Sequence, residues 1–148
     1  GHPNWFFRIS KYSLPLFQNE YVPRTWFLQD LTELPEDLEN YVLKPMFSFS
    51  GAGVVFNVSR DAIRRTANPT NFILQQKIKY EPVIEAPGEP VKCEIRMLML
   101  WPKGTDRPVI VNNLARLSKG EMIGVRYNKD KDWVGGSVGF FCAADMGM

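Results

Sequence analysis

Lys44 is the first residue whose setting suggests chemistry. It ends the β-prone run Tyr41-Val42-Leu43-Lys44, precedes Pro45, and lies shortly before the small-residue stretch Ser48-Phe49-Ser50-Gly51-Ala52-Gly53. Glycine has no Cβ, so a loop built on it can lie close over a polyphosphate with its N–H groups facing the oxygens. A lysine at the preceding strand end can reach the same oxygens as a point charge. The segment is not a Walker A loop, because no Gly-Lys-Ser/Thr closes it. The same residues also suit an ordinary surface lysine beside a flexible turn.

Glu94 and Arg96 form the second candidate. In an extended run from Val91 to Trp101 they share a face with Leu98 and Leu100, while Ile95, Met97, Met99 and Trp101 share the other. In a cleft, the planar guanidinium of Arg96 would grip a phosphate or carboxylate. On a solvent-facing strand the same pair makes only a weak salt bridge. Asn112, Asn113 and Arg116 follow on the next β-prone run, where amides line a polar face or serve strand-end turns equally well. Trp133-Val134-Gly135-Gly136-Ser137 reads as a structural turn, with a bulge or a ligand-facing loop as the alternatives.

Other chemistries are narrowed by what the sequence contains. The single histidine, His2, sits at the start of the chain, which removes histidine-based triads and most histidine metal sites. Cys93 and Cys142 form no Cys-x-x-Cys, and two thiols in apolar segments suit free side chains in a reducing, cytoplasmic setting. Eighteen basic residues against 16 acidic ones leave a net charge of +2, too little for nucleic acid or an anionic membrane to be the main partner. The longest apolar runs fall far short of a membrane span, and no signal peptide is visible.

The elements that must position these residues point to an α+β domain, a mainly antiparallel sheet with few helices. The 148 residues and 45% hydrophobic content suffice for one packed domain across 1–148. Residues 1–40 read as an irregular and partly helical lead-in, with Leu34-Pro35-Glu36-Asp37 opening a short helix. Residues 41–80 carry the Lys44 strand, the Ser/Gly loop, a second strand Val54–Val58 forming a hairpin with the first, and a helix through 61–64 capped by Ser59. A third strand is expected over Phe72–Ile78. Residues 91–137 supply the arginine-bearing antiparallel strands, separated by turns at Lys103–Asp106, Ser118–Glu121 and Asn128–Asp132.

The order of these pieces resembles the ATP-grasp superfamily, on its tubulin–tyrosine ligase and glutathionylspermidine synthase side. The resemblance rests on Tyr41-Val42-Leu43-Lys44-Pro45, the Ser48–Gly53 loop, Leu74-Gln75-Gln76-Lys77-Ile78, Glu94-Ile95-Arg96 and Leu114-Ala115-Arg116-Leu117-Ser118. It implies an ATP-dependent ligase joining a small-molecule or peptide carboxylate to an amine or thiol through an acylphosphate. Lys44 would touch the α- and β-phosphates, and Ser48, Ser50, Gly51 and Gly53 would form a flap over them. Gln76, Lys77 and Ile78 would be the hinge that reads adenine, while Arg96 and Arg116 would stabilise the transferring phosphoryl group. The family also implies Mg2+, held by a late Glu-x-Asn pattern that this sequence lacks after Arg116. The short chain then implies a piece of a larger protein. A non-catalytic nucleotide-binding module and an α+β protein-interaction module, with the aromatic-rich start as its docking surface, are the alternatives.

Overall fold

The computed structural model describes residues 2–124 and 127–140 and has the expected α+β character, with short helices and more strand than helix. The chain divides into two compact units, Gly1–Lys79 and Tyr80–Met148. Each carries its own antiparallel sheet, where the sequence suggested one.

In the first unit, helix α1 (Asn4–Ile9) and a 3-10 turn (Lys11–Leu16) lead into β1 (Thr25–Phe27), β2 (Tyr41–Pro45), helix α2 (Arg60–Arg64) and β3 (Phe72–Gln76). The strand order is β1-β3-β2, with Leu43 opposite Leu74 and Thr25 opposite Gln75. Strand alternation sends Leu43 and Leu74 to one face, where they are buried with Leu28, Leu38 and Val58. The opposite face carries Thr25, Gln75, Val42 and Lys44. At the N-terminal end, Phe6, Phe7, Tyr12 and Phe47 form a ring cluster, with Phe6 and Phe47 stacked at 5.0 Å, and Tyr12 reaches Phe27 on β1.

Three local expectations are corrected here. Val54–Val58 is not a strand: Val55 alone pairs, exchanging both backbone bonds with Leu43 at 2.9 and 3.0 Å, and Val58 turns into the core. The positive φ angles at Ser50, Gly51 and Gly53 fold the loop too tightly for a continuing ladder. The turn foreseen at Leu34–Asp37 falls instead at Leu38–Asn40, where Leu38 is pulled into the core. The third strand stops at Gln76, because the Lys77 N–H leaves the ladder to bond the Asn40 carbonyl at 2.8 Å. The helix capped by Ser59 is present as α2, with the Ser59 hydroxyl accepting from the Ala62 N–H.

The second unit is a meander of β4 (Pro82–Ile84), β5 (Val91–Leu100), β6 (Val109–Ser118) and β7 (Gly135–Ser137), paired in that order. Val91, Ala115 and Ser118 are buried near one end of the β5–β6 ribbon, and both faces open toward its tip. Residues 135–137, expected to be a turn, pair as an edge strand with β6, placing Gly136 opposite Arg116. No helix among the described residues is long and apolar enough to cross a membrane.

Candidate functional site

Two clusters, one in each unit, gather the polar residues that the sequence singles out. In the first unit, Lys44 near the end of β2 donates to the Gln75 side-chain oxygen at 2.6 Å. Gln75 in turn donates to Thr25 Oγ1 at 2.8 Å, and the Thr25 hydroxyl donates to the Pro23 carbonyl. This chain runs across the sheet and fixes which end of the buried Gln75 amide faces the lysine. Lys11, a residue that the sequence reading did not single out, lies on the same side. Its ammonium donates to the Ser48 carbonyl at 2.5 Å and to Ser48 Oγ at 3.1 Å.

Among the described residues neither ammonium has a carboxylate partner. Burial holds the Lys44 pKa below the ordinary lysine value, and the nearby charge of Lys11 lowers it further; burial alone lowers Lys11. Two half-buried cations beside a loop rich in small residues make a place where an anion would relieve an electrostatic cost. Ser48 is tied down through Lys11 and the Pro45 carbonyl. Beyond it, Ser50, Gly51 and Gly53 all take positive φ, and Ser50 and Gly53 are spread into the turn that follows β2.

The supposed hinge residues lie at the end of β3, just before the boundary between the units. Gln76 N–H bonds the Arg24 carbonyl at 2.8 Å, and Lys77 sends its ammonium to the Glu39 carbonyl. Ile78 is exposed and borders a shallow groove with Tyr21, Val22 and Arg24. With the Gln76 and Lys77 N–H groups already bonded, only carbonyls and the Ile78 N–H are left to read a base edge.

In the second unit, cross-strand register brings Glu94 opposite Arg116, with Arg96 diagonal on the same face. One Glu94 oxygen, Oε1, accepts from Arg96 Nε at 3.1 Å and from Arg116 Nη1 at 2.9 Å. Its other oxygen accepts from the Tyr80 hydroxyl at 3.3 Å. Burial is the main cause that raises the Tyr80 pKa, reinforced by the Glu94 charge and opposed by the two arginines. Two guanidinium groups against one carboxylate leave a net positive face. That face borders a cavity of ≈ 390 Å³, and across from Arg116 the edge strand offers Gly136, over which the Leu114 side chain leans. Arg116 is held a second time, by Nη2 donating to the Ile123 carbonyl. Asn113, by contrast, exchanges hydrogen bonds with the Gly139 backbone, a structural task that accounts for its amide.

Among the described residues no three His, Cys, Asp or Glu side chains converge on a point where a metal could sit, so those residues do not supply a cage for Mg2+. Cys142 lies outside the described residues. No family model, curated protein or solved structure matches the chain.

Proposed function

We propose that this chain is the nucleotide-handling part of an ATP-dependent carboxylate–amine or carboxylate–thiol ligase of ATP-grasp type, working in the cytoplasm. The observation that carries the reading is the meeting of Lys44 and Lys11, two ammonium groups without a carboxylate partner among the described residues, beside the Ser48–Gly53 loop. In this reading Lys44 and Lys11 neutralise the α- and β-phosphates, and the loop N–H groups cover them. Ile78 packs on the adenine ring, and nearby carbonyls accept from its amino group. In the second unit, Arg96 and Arg116 make a charge-neutralising pair of the kind that phosphoryl and acylphosphate groups require. Phosphoryl transfer asks for positioning and charge neutralisation from the protein more than for covalent chemistry. That fits residues limited to Lys, Arg, Ser and backbone.

The test is a thermal-shift and calorimetric titration with ATP, ADP and a non-hydrolysable ATP analogue, with and without Mg2+. Saturating nucleotide at about 100 times Kd should stabilise the protein by ~2.7 kcal/mol. That gain should disappear in Lys44→Ala and shrink in Lys11→Ala. No saturable effect with any nucleotide would sink the reading, as would unchanged binding in Lys44→Ala and Arg96→Ala together. Binding without turnover on any carboxylate would leave a nucleotide-binding module in place of a ligase.

A further inference from the structure

We infer that Asn128 is a positioning residue for Arg116, setting the direction of its guanidinium at the cavity beside β6. The inference rests on the reading of Arg96 and Arg116 as a phosphate-facing pair. Asn128 is 8% exposed, yet its side chain makes more hydrogen bonds than any other among the described residues of the second unit. Its oxygen accepts from Ser118 Oγ and from the Lys119 and Gly120 N–H groups, at 2.9 to 3.0 Å. Its NH2 donates to Ser118 Oγ at 2.9 Å and to the Met122 and Gly124 carbonyls, at 3.4 and 2.9 Å. Those two carbonyls flank Ile123, whose own carbonyl accepts from Arg116 Nη2. Both halves of the amide thus hold Ser118 at the end of β6, the oxygen also ties down the Lys119 and Gly120 N–H groups, and the nitrogen alone sets the peptide on which Arg116 rests. Gly120 lets the loop close this tightly: a Cβ there would lie 2.3 Å from the Tyr127 carbonyl oxygen. Glu94 holds Arg116 Nη1 from the other side, so both ends of the guanidinium are fixed before any anion arrives. A guanidinium fixed at both ends meets a phosphate without losing side-chain freedom at that moment.

The two halves of the amide can be separated by substitution. Asn128→Asp keeps the acceptors for Ser118, Lys119 and Gly120 and loses the donors to Met122 and Gly124, together with the donor to a Ser118 hydroxyl that can still donate to the new carboxylate. Two readouts apply to the full chain: the nitrogen-15 signals of the Arg116 Nη groups, whose rotation is slow only while both are bonded, and calorimetric titration with inorganic phosphate. We expect Asn128→Asp to collapse the separate Nη signals of Arg116 and to weaken phosphate by about tenfold, the worth of roughly one charge-assisted hydrogen bond. The loss of affinity should vanish when Arg116→Ala is already present. If the weakening persists in the Arg116→Ala background, the added charge acts through its field and the positioning role is overturned. Unchanged Nη signals overturn it as well. A wild-type chain that does not bind phosphate overturns the phosphate-facing reading itself, and with it the functional role of Asn128, whatever the guanidinium signals report.

Discussion

Ser50→Gly and Gly53→Ala, placed in the same loop, should shift stability in opposite directions. Ser50 holds φ at 52° and Gly53 at 71°. A side chain in the left-handed region costs about 1–2 kcal/mol. A Cβ on Gly53 would also lie 2.8 Å from Pro45 Cγ, an atom of a ring that cannot rotate away. Forcing it aside adds about 1–2 kcal/mol, as in other overpacked sites. Alanine restrains the unfolded chain more than glycine does, which returns roughly 0.5–1 kcal/mol. Gly53→Ala should therefore destabilise by about 1–3.5 kcal/mol, and Ser50→Gly should stabilise by up to roughly 1.5 kcal/mol on the same accounting. In a unit of this length each kcal/mol moves the melting temperature by roughly 4–8 °C. Amide exchange at the buried Ile73 and Leu74 reports the stability of the first unit directly. Shifts in the same direction, or no change in Gly53→Ala, would refute the argument that this loop is strained at one position and crowded at another.

Lys44 gives a pH prediction. Its folded pKa lies below its unfolded one, so the unfolded chain binds more protons in the interval between them. Stability should then rise with pH from the lowered folded value up to the ordinary lysine value of 10.5, and Lys44→Met should reduce that rise to the part that Lys11 contributes. Tyr80 works in reverse. Its folded pKa is raised above 10.0, so stability should fall as pH climbs from 10.0 through the folded value, and Tyr80→Phe should remove the fall. Urea titrations between pH 8 and 11 on the two variants and the parent separate the two effects.

The sequence made some of this visible and hid the rest for physical reasons. The alternation from Val91 onward fixed β5 and its polar face, because a strand open on both sides near its tip keeps its pattern. The Ser59 cap and the Lys44 strand end were also readable, since both depend on residues close in the chain. Val54–Val58 misled, because apolar β-branched residues serve equally as a strand or as anchors for a turn. Lys11 could not be found from local pattern. Its position beside Lys44 is created by the ring cluster that folds the N-terminal segment back onto the sheet. The Glu94–Arg116 pair was within reach once the hairpin register was counted, whereas the Asn128 hub depends on a loop closure that spacing does not encode.

The strand order of the first sheet also governs how that half can form during synthesis. β1 and β2 do not pair with each other; apart from the Leu43–Val55 bridge on β2, each meets its strand partner in β3, the middle strand and the last of the three in the chain. The bond between Gln75 and Thr25 joins residues 50 positions apart. While the ribosome adds the stretch between β2 and β3, about 1–5 s at ordinary elongation rates, two β-prone segments wait without a partner. The second sheet has no such gap, since each strand pairs with its neighbour in sequence. Its low contact order makes it the faster folder, although it is made last. The nascent chain thus depends longest on outside protection in the half that bears Lys44.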